Sequence, residues 1–209
     1  MEKVDVKKEL RALYAPSASA VAVVDVPAMS FLMVDGAGDP NTSMRFQQAV
    51  ETLFTVSYTV KFLVRDAVGV DYGVMPLEGL WWMDGQDGFD VAARDRWQWT
   101  AMIMQPDYVT PALLQRALEK AAGKKALPLL PELRFAVWHE GSAVQILHIG
   151  PFAAEGPTIV RLHQAIAAAG AVRSGKHHEI YLSNFQRTAP EKLKTVLRQA
   201  FRAESAAER

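Results

Sequence analysis

The sequence predicts an α+β protein in which two strand–helix–strand–strand units pair edge to edge into one antiparallel sheet. Helices cover one face of that sheet, and the other face is concave and open. Three observations support this. Phe46, Ala49, Val50, Leu53, Phe54 and Ser57 recur at spacings of three and four, which gives one apolar helical stripe. His177 to Ser183 alternates along its length as a strand does. The order of elements in the first half of the chain recurs in the second, although the residues are barely alike.

Residues 1–16 form a polar lead-in with one helical turn at Lys7 to Leu13. Ala20 to Val26 and Ser30 to Val34 read as short strands broken by Pro27. Gly36, Gly38 and Pro40 mark a turn, and Asn41-Thr42-Ser43 supplies caps for a helix from about Ser43 to Leu63. Asp71 to Trp82 reads as a strand, with Pro76 and Gly79 pointing to an edge or a bulge. Asp84 to Gly88 is a turn, and Trp97 to Gln105 is a further strand. Thr110-Pro111 opens a helix that runs to about Ala122. Leu133 to His139 and Ala143 to Ile149 read as a hairpin turning at Glu140-Gly141. Gly156-Pro157-Thr158 leads into a helix ending at Gly170, and Gly175 precedes a strand from His177 to Ser183. Pro190 to Gln199 is either an edge strand or a helix, with Lys192, Lys194 and Arg198 on a solvated face.

Half of the residues are apolar and 22% are charged, enough for a packed interior. Lysine plus arginine and aspartate plus glutamate each number 23, so the basic field that draws proteins to nucleic acid is missing. Without cysteine there are no disulfides, thiolate metal sites or cysteine nucleophiles. The first eleven residues carry no apolar signal segment, and no apolar run approaches the ~20 residues that span a bilayer. The expectation is a cytoplasmic protein with no nucleic-acid or membrane partner.

The chemistry-bearing pattern is His177-His178-Glu179-Ile180-Tyr181-Leu182-Ser183. Alternation puts Ile180 and Leu182 on one face, suited to contact with helices, and His177, Glu179 and Tyr181 on the other. A carboxylate and a phenol two residues apart on a strand stand roughly 7 Å from each other. A small ligand fits between them, with the acid as base or cation site and the phenol as donor. The alternative is a solvated polar face that happens to carry these residues. In Pro76-Leu77-Glu78-Gly79-Leu80-Trp81-Trp82, adjacent indoles face opposite ways, and Glu78 shares a face with Trp82 unless Gly79 bulges. Trp97 and Trp99 add two more indoles on a single face. Tryptophans commonly serve only as core, but aromatic walls around a carboxylate suit flat, hydrophobic or cationic ligands. The histidines have no metal-ligand spacing, and neither a phosphate loop nor a G-x-S-x-G nucleophile motif occurs. No metal and no cofactor is expected.

Several of these segments together resemble the stand-alone GyrI-like proteins. They are Tyr58-Thr-Val-Lys-Phe, Tyr72 with Pro76-Leu-Glu-Gly-Leu-Trp-Trp82, Trp97-x-Trp99-Thr-Ala-Met-Ile-Met-Gln-Pro, His177-His-Glu-Ile-Tyr-Leu-Ser183, and Arg187-Thr-Ala-Pro-Glu-Lys-Leu-Lys-Thr-Val-Leu-Arg198. The likeness runs from about residue 20 to 200. It implies two βαββ modules with a pseudo-twofold ligand cleft, a fold shared with the drug-sensing domains of some multidrug-responsive regulators. On this resemblance Glu179 is the glutamate of the cleft floor, and Trp82, Trp99, Tyr72 and Tyr58 are aromatic walls; the strand patterns add Glu78, Trp81 and His177 as further ligand-binding candidates. Some stand-alone members resembling this chain are hydrolases that open cyclopropanoid alkylating compounds, and there Glu179 would be the base and Tyr181 the acid. Asn184-Phe185 departs from the Asp and Pro expected after Leu182-Ser183, and is expected to alter a loop and not the cleft.

The expected organisation is a lead-in over 1–19, a small-molecule-binding domain over 20–203 with halves at about 20–125 and 126–203, and a tail over 204–209. The expected function is binding of hydrophobic or aromatic small molecules, with hydrolysis of strained electrophiles as a detoxification role. The alternative is a non-catalytic sensor or sequestering protein. The state is a monomer or homodimer.

Overall fold

The computed structural model describes residues 1–85 and 93–204, so part of the expected turn at Asp84–Gly88 and most of the expected tail lie outside the described residues. The elements run β1 (Glu2–Val4), α1 (Val6–Glu9), α2 (Arg11–Tyr14), β2 (Ala22–Ala37), α3 (Met44–Val68), β3 (Val70–Tyr72), β4 (Leu77–Trp82), β5 (Gln98–Gln105), α4 (Pro111–Lys124), β6 (Arg134–Ile149), α5 (Gly156–Ala168), β7 (Ala171–Tyr181) and β8 (Lys194–Ala203). The class is α+β with mainly antiparallel pairing, as the sequence predicts; the β1–β3 pair is parallel. No helix among the described residues is long and apolar enough to cross a membrane.

The chain forms two compact units, the first made of Met1–Glu9 with Met29–Trp138 and the second of Leu10–Ala28 with His139–Arg209. In the first, β5 pairs with both β2 and β4. Directly opposed residues of an antiparallel ladder share a face. Gly36, Trp99 and Trp81 therefore lie side by side, as do Asp35, Thr100 and Leu80 on the other face. α3 covers the tryptophan face. Its Phe46 ring lies 5.8 Å from Trp81 and 5.0 Å from Trp99, and Gln105 Nε2 donates to Ser57 Oγ at 3.1 Å. Ser43 caps α3 by accepting from the Phe46 amide. The helix runs past the expected Leu63 because Gly69, at φ 79°, supplies the left-handed stop. Gly36 permits the closeness of this layer, since a Cβ there would sit 2.2 Å from the Trp99 ring. On the opposite face, Asp35 is held by Arg134 Nη2 at 2.6 Å and by the Thr100 hydroxyl at 2.6 Å.

In the second unit β8 pairs with β6 on one side and β7 on the other. The C-terminal segment is thus a central strand, neither the edge strand nor the helix expected. A one-sided polar pattern could not reveal this, because both of its faces are covered. On one face Val144, Ile146 and Leu197 pack with Leu162 and Ile166 of α5. On the other, Arg198 Nη1 reaches Glu140 Oε2 at 3.1 Å, Arg198 Nε donates to Gln145 Oε1 at 2.9 Å, and His178 Nδ1 lies 3.0 Å from the same Glu140 oxygen. Arg198 and Gln145 also donate to the backbone carbonyls of Leu13 and Ala12, which ties down the N-terminal segment of this unit. Burial pushes the Glu140 carboxyl up, but the His178 and Arg198 charges and hydrogen bonds outweigh that and hold it below the usual range. Arg198 is 1% exposed, so the expected solvated face is here a buried ion cluster.

Other boundaries also differ from expectation, and the strand expected over Asp71–Trp82 is two, β3 and β4, with 73–76 outside either. β2 runs through Pro27 unbroken, and its ladder to β5 begins at Ser30, so the missing proline N–H costs that ladder nothing. β6 absorbs Gly141, at φ 73°, within one long strand where a hairpin is expected. β7 begins before Gly175, which sits at a register shift between Arg173 and His177.

Replacing Arg198 with alanine leaves Glu140 buried without its guanidinium. The expected loss is about 3–5 kcal/mol of folding stability, measured by urea unfolding.

Candidate functional site

The site is built from the second unit alone. Strand alternation sends His177, Glu179 and Tyr181 to one face of β7. The register places them opposite Gln199, Leu197 and Thr195 of β8, which in turn lie opposite Val144, Ile146 and His148 of β6. Leu197 and Ile146 belong to the cluster under α5. The acid and phenol therefore lie on the helix-covered face. This corrects the expectation that they point away from the helices while Ile180 packs on them. Ile180 is fully buried on the other face. When both faces are closed, an apolar/polar alternation does not say which face the helix takes.

Tyr181 Oη donates to Glu179 Oε2 at 2.8 Å, and His177 Nε2 lies 3.3 Å from Glu179 Oε1. Glu179 is 8% exposed. A second carboxyl closes the group, and the sequence reading missed it. Glu155 immediately precedes α5 and is 5% exposed. Its backbone carbonyl accepts from the Thr158 and Ile159 amides at 2.9 Å each, but its side chain makes no cap. It turns instead to the sheet, where Glu179 and Thr195 act on it. Burial first, and then the nearby Glu179 charge, push the Glu155 carboxyl up to about 10. It is neutral at pH 7. Nothing in the Glu-Gly-Pro pattern marks it; only packing does.

Two further features frame the pair. His163 of α5 is pushed down to about 4 by burial, then by the Arg173 and His177 charges, so it stays neutral near pH 7. Phe152, Tyr181 and Phe185 form a mutual edge-to-face trio with centroids 5.7, 6.3 and 6.1 Å apart. Phe152 and Phe185 are each 37% exposed. Phe185, expected to alter only a loop, thus touches the phenol of the site.

The other candidates lie in the first unit. Trp81, Trp97, Trp99 and Phe46 form a buried stack, and Trp99 is fully enclosed. Glu78 is fully buried and shares the opposite face with half-buried Trp82, as strand parity predicts, because the ladder runs through Gly79 without a shift. Tyr72 is buried on β3, with its ring 6.4 Å from Tyr108, and burial pushes its phenol up. Tyr58 is half exposed off the buried stripe of α3, leaning on Phe54. Among the described residues no group of three or more His, Cys, Asp or Glu is arranged to hold a metal.

Residues 19–198 match the model of the GyrI-like small molecule binding domain. An uncharacterized conserved protein from Listeria innocua is 40% identical, with a TM-score of 0.88 over 95% of this chain and 100% of its own. A hydrolase from the same organism is 38% identical, with a TM-score of 0.85 over 96% and 100%. The C-terminal domain of EcmrR shares the fold at 12% identity, with a TM-score of 0.57 over 88% and 98%. No curated protein matches the chain significantly.

Because Glu155 binds its proton more tightly folded than unfolded, the fold should lose stability as pH rises from the ordinary 4.5 towards about 10. Glu155→Gln carries no such proton. Thermal melts should show the variant gaining on the wild type as pH rises through that window. Parallel curves would remove the neutral carboxyl.

Proposed function

The chain belongs to the GyrI-like small-molecule-binding family, and from that premise we propose that it hydrolyses strained, electrophilic ring compounds of the cyclopropanoid type, a detoxification role. The observation that carries the reading is the hydrogen bond from Tyr181 to the buried Glu179, which joins a base and an acid at one point. The similarity to hydrolases from Listeria innocua supports catalysis over binding alone.

In the proposed reaction Glu179 takes a proton from water as the water oxygen bonds to a ring carbon. The strained carbon–carbon bond breaks, and its electron pair moves into the conjugated carbonyl. Tyr181 gives its proton to that carbonyl oxygen, and Glu179 then returns the proton it took to the tyrosinate. The sum is addition of one water. The Phe152–Tyr181–Phe185 trio offers a flat apolar body an edge to lie against, and His177 beside Glu179 orients the carboxylate. Of the candidate indoles Trp81, Trp82 and Trp99, half-buried Trp82 is the most open to a ligand, since Trp81 and Trp99 are closed into the stack with Phe46.

A non-catalytic sensor or sequestering role is the second reading, since the matching family model is one of small-molecule binding. Glu179→Gln separates the two. For a hydrolase the variant should bind a cyclopropanoid alkylator as the wild type does but form ring-opened product about 10²–10⁴-fold more slowly, followed by mass spectrometry. Undiminished turnover in the variant would remove Glu179 as base. Binding without product in the wild type would favour the sequestering role.

A further inference from the structure

The proposed reaction leaves one buried group of this site unused. Glu155 Oε1 is buried and has no hydrogen-bond partner among the described residues. Buried polar atoms are nearly always bonded, so an orphan near a second acid calls for a partner. The residue forgoes the cap that an acid at a helix start usually makes, and its helix has no acid in its first turn to take that place. From this geometry, and resting on the reading of the second unit as a small-molecule site, we infer that Glu155 recognises an uncharged carbonyl oxygen of the ligand by donating a hydrogen bond to it.

The direction of that bond follows from charge. Glu155 is neutral at pH 7, so its carboxylic O–H is a donor and the partner must accept. A carbonyl oxygen accepts; a methylene in its place leaves the donor unpaired. A ligand carboxylate would also accept, but it would meet the Glu179 charge. The groups around Glu155 leave it this role. Glu179 and Tyr181 on β7 are already paired with each other. Thr195 on β8 acts on the Glu155 carboxyl, and His148 on β6 faces the Thr158 hydroxyl at 3.1 Å. His163 on α5 and His177 on β7 interact with each other, and Arg173 acts on His163. Among the described residues the Glu155 oxygen is the carboxyl oxygen of this group left buried without a hydrogen-bond partner.

The test uses a matched pair, fluorenone and fluorene, which differ by a carbonyl in place of a methylene. Equilibrium dialysis of the wild type should give about tenfold tighter binding of fluorenone. Glu155→Gln keeps a donor in its side-chain amide and should keep the preference. Glu155→Leu has none and should bind both compounds equally. As pH rises towards 10, the wild type should lose its preference while Glu155→Gln does not, and this arm stands if the leucine variant fails to fold. Both compounds binding, with the preference intact in Glu155→Leu or pH-independent in the wild type, overturns the role of Glu155 alone. Neither compound binding the wild type overturns it together with the small-molecule reading of the site.

Discussion

Two carboxyl groups buried on one face of a sheet cannot both hold charge cheaply, and the second unit is arranged around that constraint. Glu179 comes from the alternation of β7. Glu155 comes from the chain just before α5, which must enter over the same face to seat Leu162 and Ile166 on Ile146 and Leu197. Packing that helix therefore carries a second acid into the neighbourhood of the first. Desolvation and the Glu179 charge then keep a proton on Glu155. The result is a donor and an acceptor side by side, the arrangement general acid–base chemistry needs.

The opposite face of the same three strands solves a similar problem differently. There Glu140 is just as enclosed, but Arg198 and His178 lie within hydrogen-bonding distance of it, and it stays ionised. Among the described residues Glu155 has no ion pair, and it takes a proton instead. One face spends its charges on tying down the segment at Ala12 and Leu13, and the other leaves a polar atom unmatched. Fully satisfied buried networks hold structure together, and an unsatisfied one is where a ligand has something to gain.

Much of this was legible in the sequence. The stripe from Phe46, the caps at Ser43 and Thr110 and the strand through Glu179 and Tyr181 follow from local periodicity and turn chemistry. What failed depended on partners distant in sequence. Pro27 and Gly141 look like breaks because their cost depends on whether a neighbouring strand needs the donor or the torsion. Arg198 looks solvated because Glu140, the partner that makes its burial tolerable, is more than fifty residues away. The face of Glu179 could not be assigned because both faces are closed. Glu155 had no signature at all, since a lone acid before a Gly-Pro helix start is ordinary until a sheet lies beneath it. Phe185 looked like a loop change because the ring contact with Tyr181 is a fact of tertiary packing.

The central claim is that Glu155 stays protonated beside Glu179 at neutral pH. Carbon-13 NMR of protein labelled at the glutamate carboxyl carbons reads that state directly, with Glu155→Gln identifying the resonance. The account predicts a Glu155 signal that keeps the shift of a carboxylic acid at pH 7 and moves only in alkaline solution. A signal already at the carboxylate position at pH 7, with a midpoint in the ordinary acidic range, would contradict it.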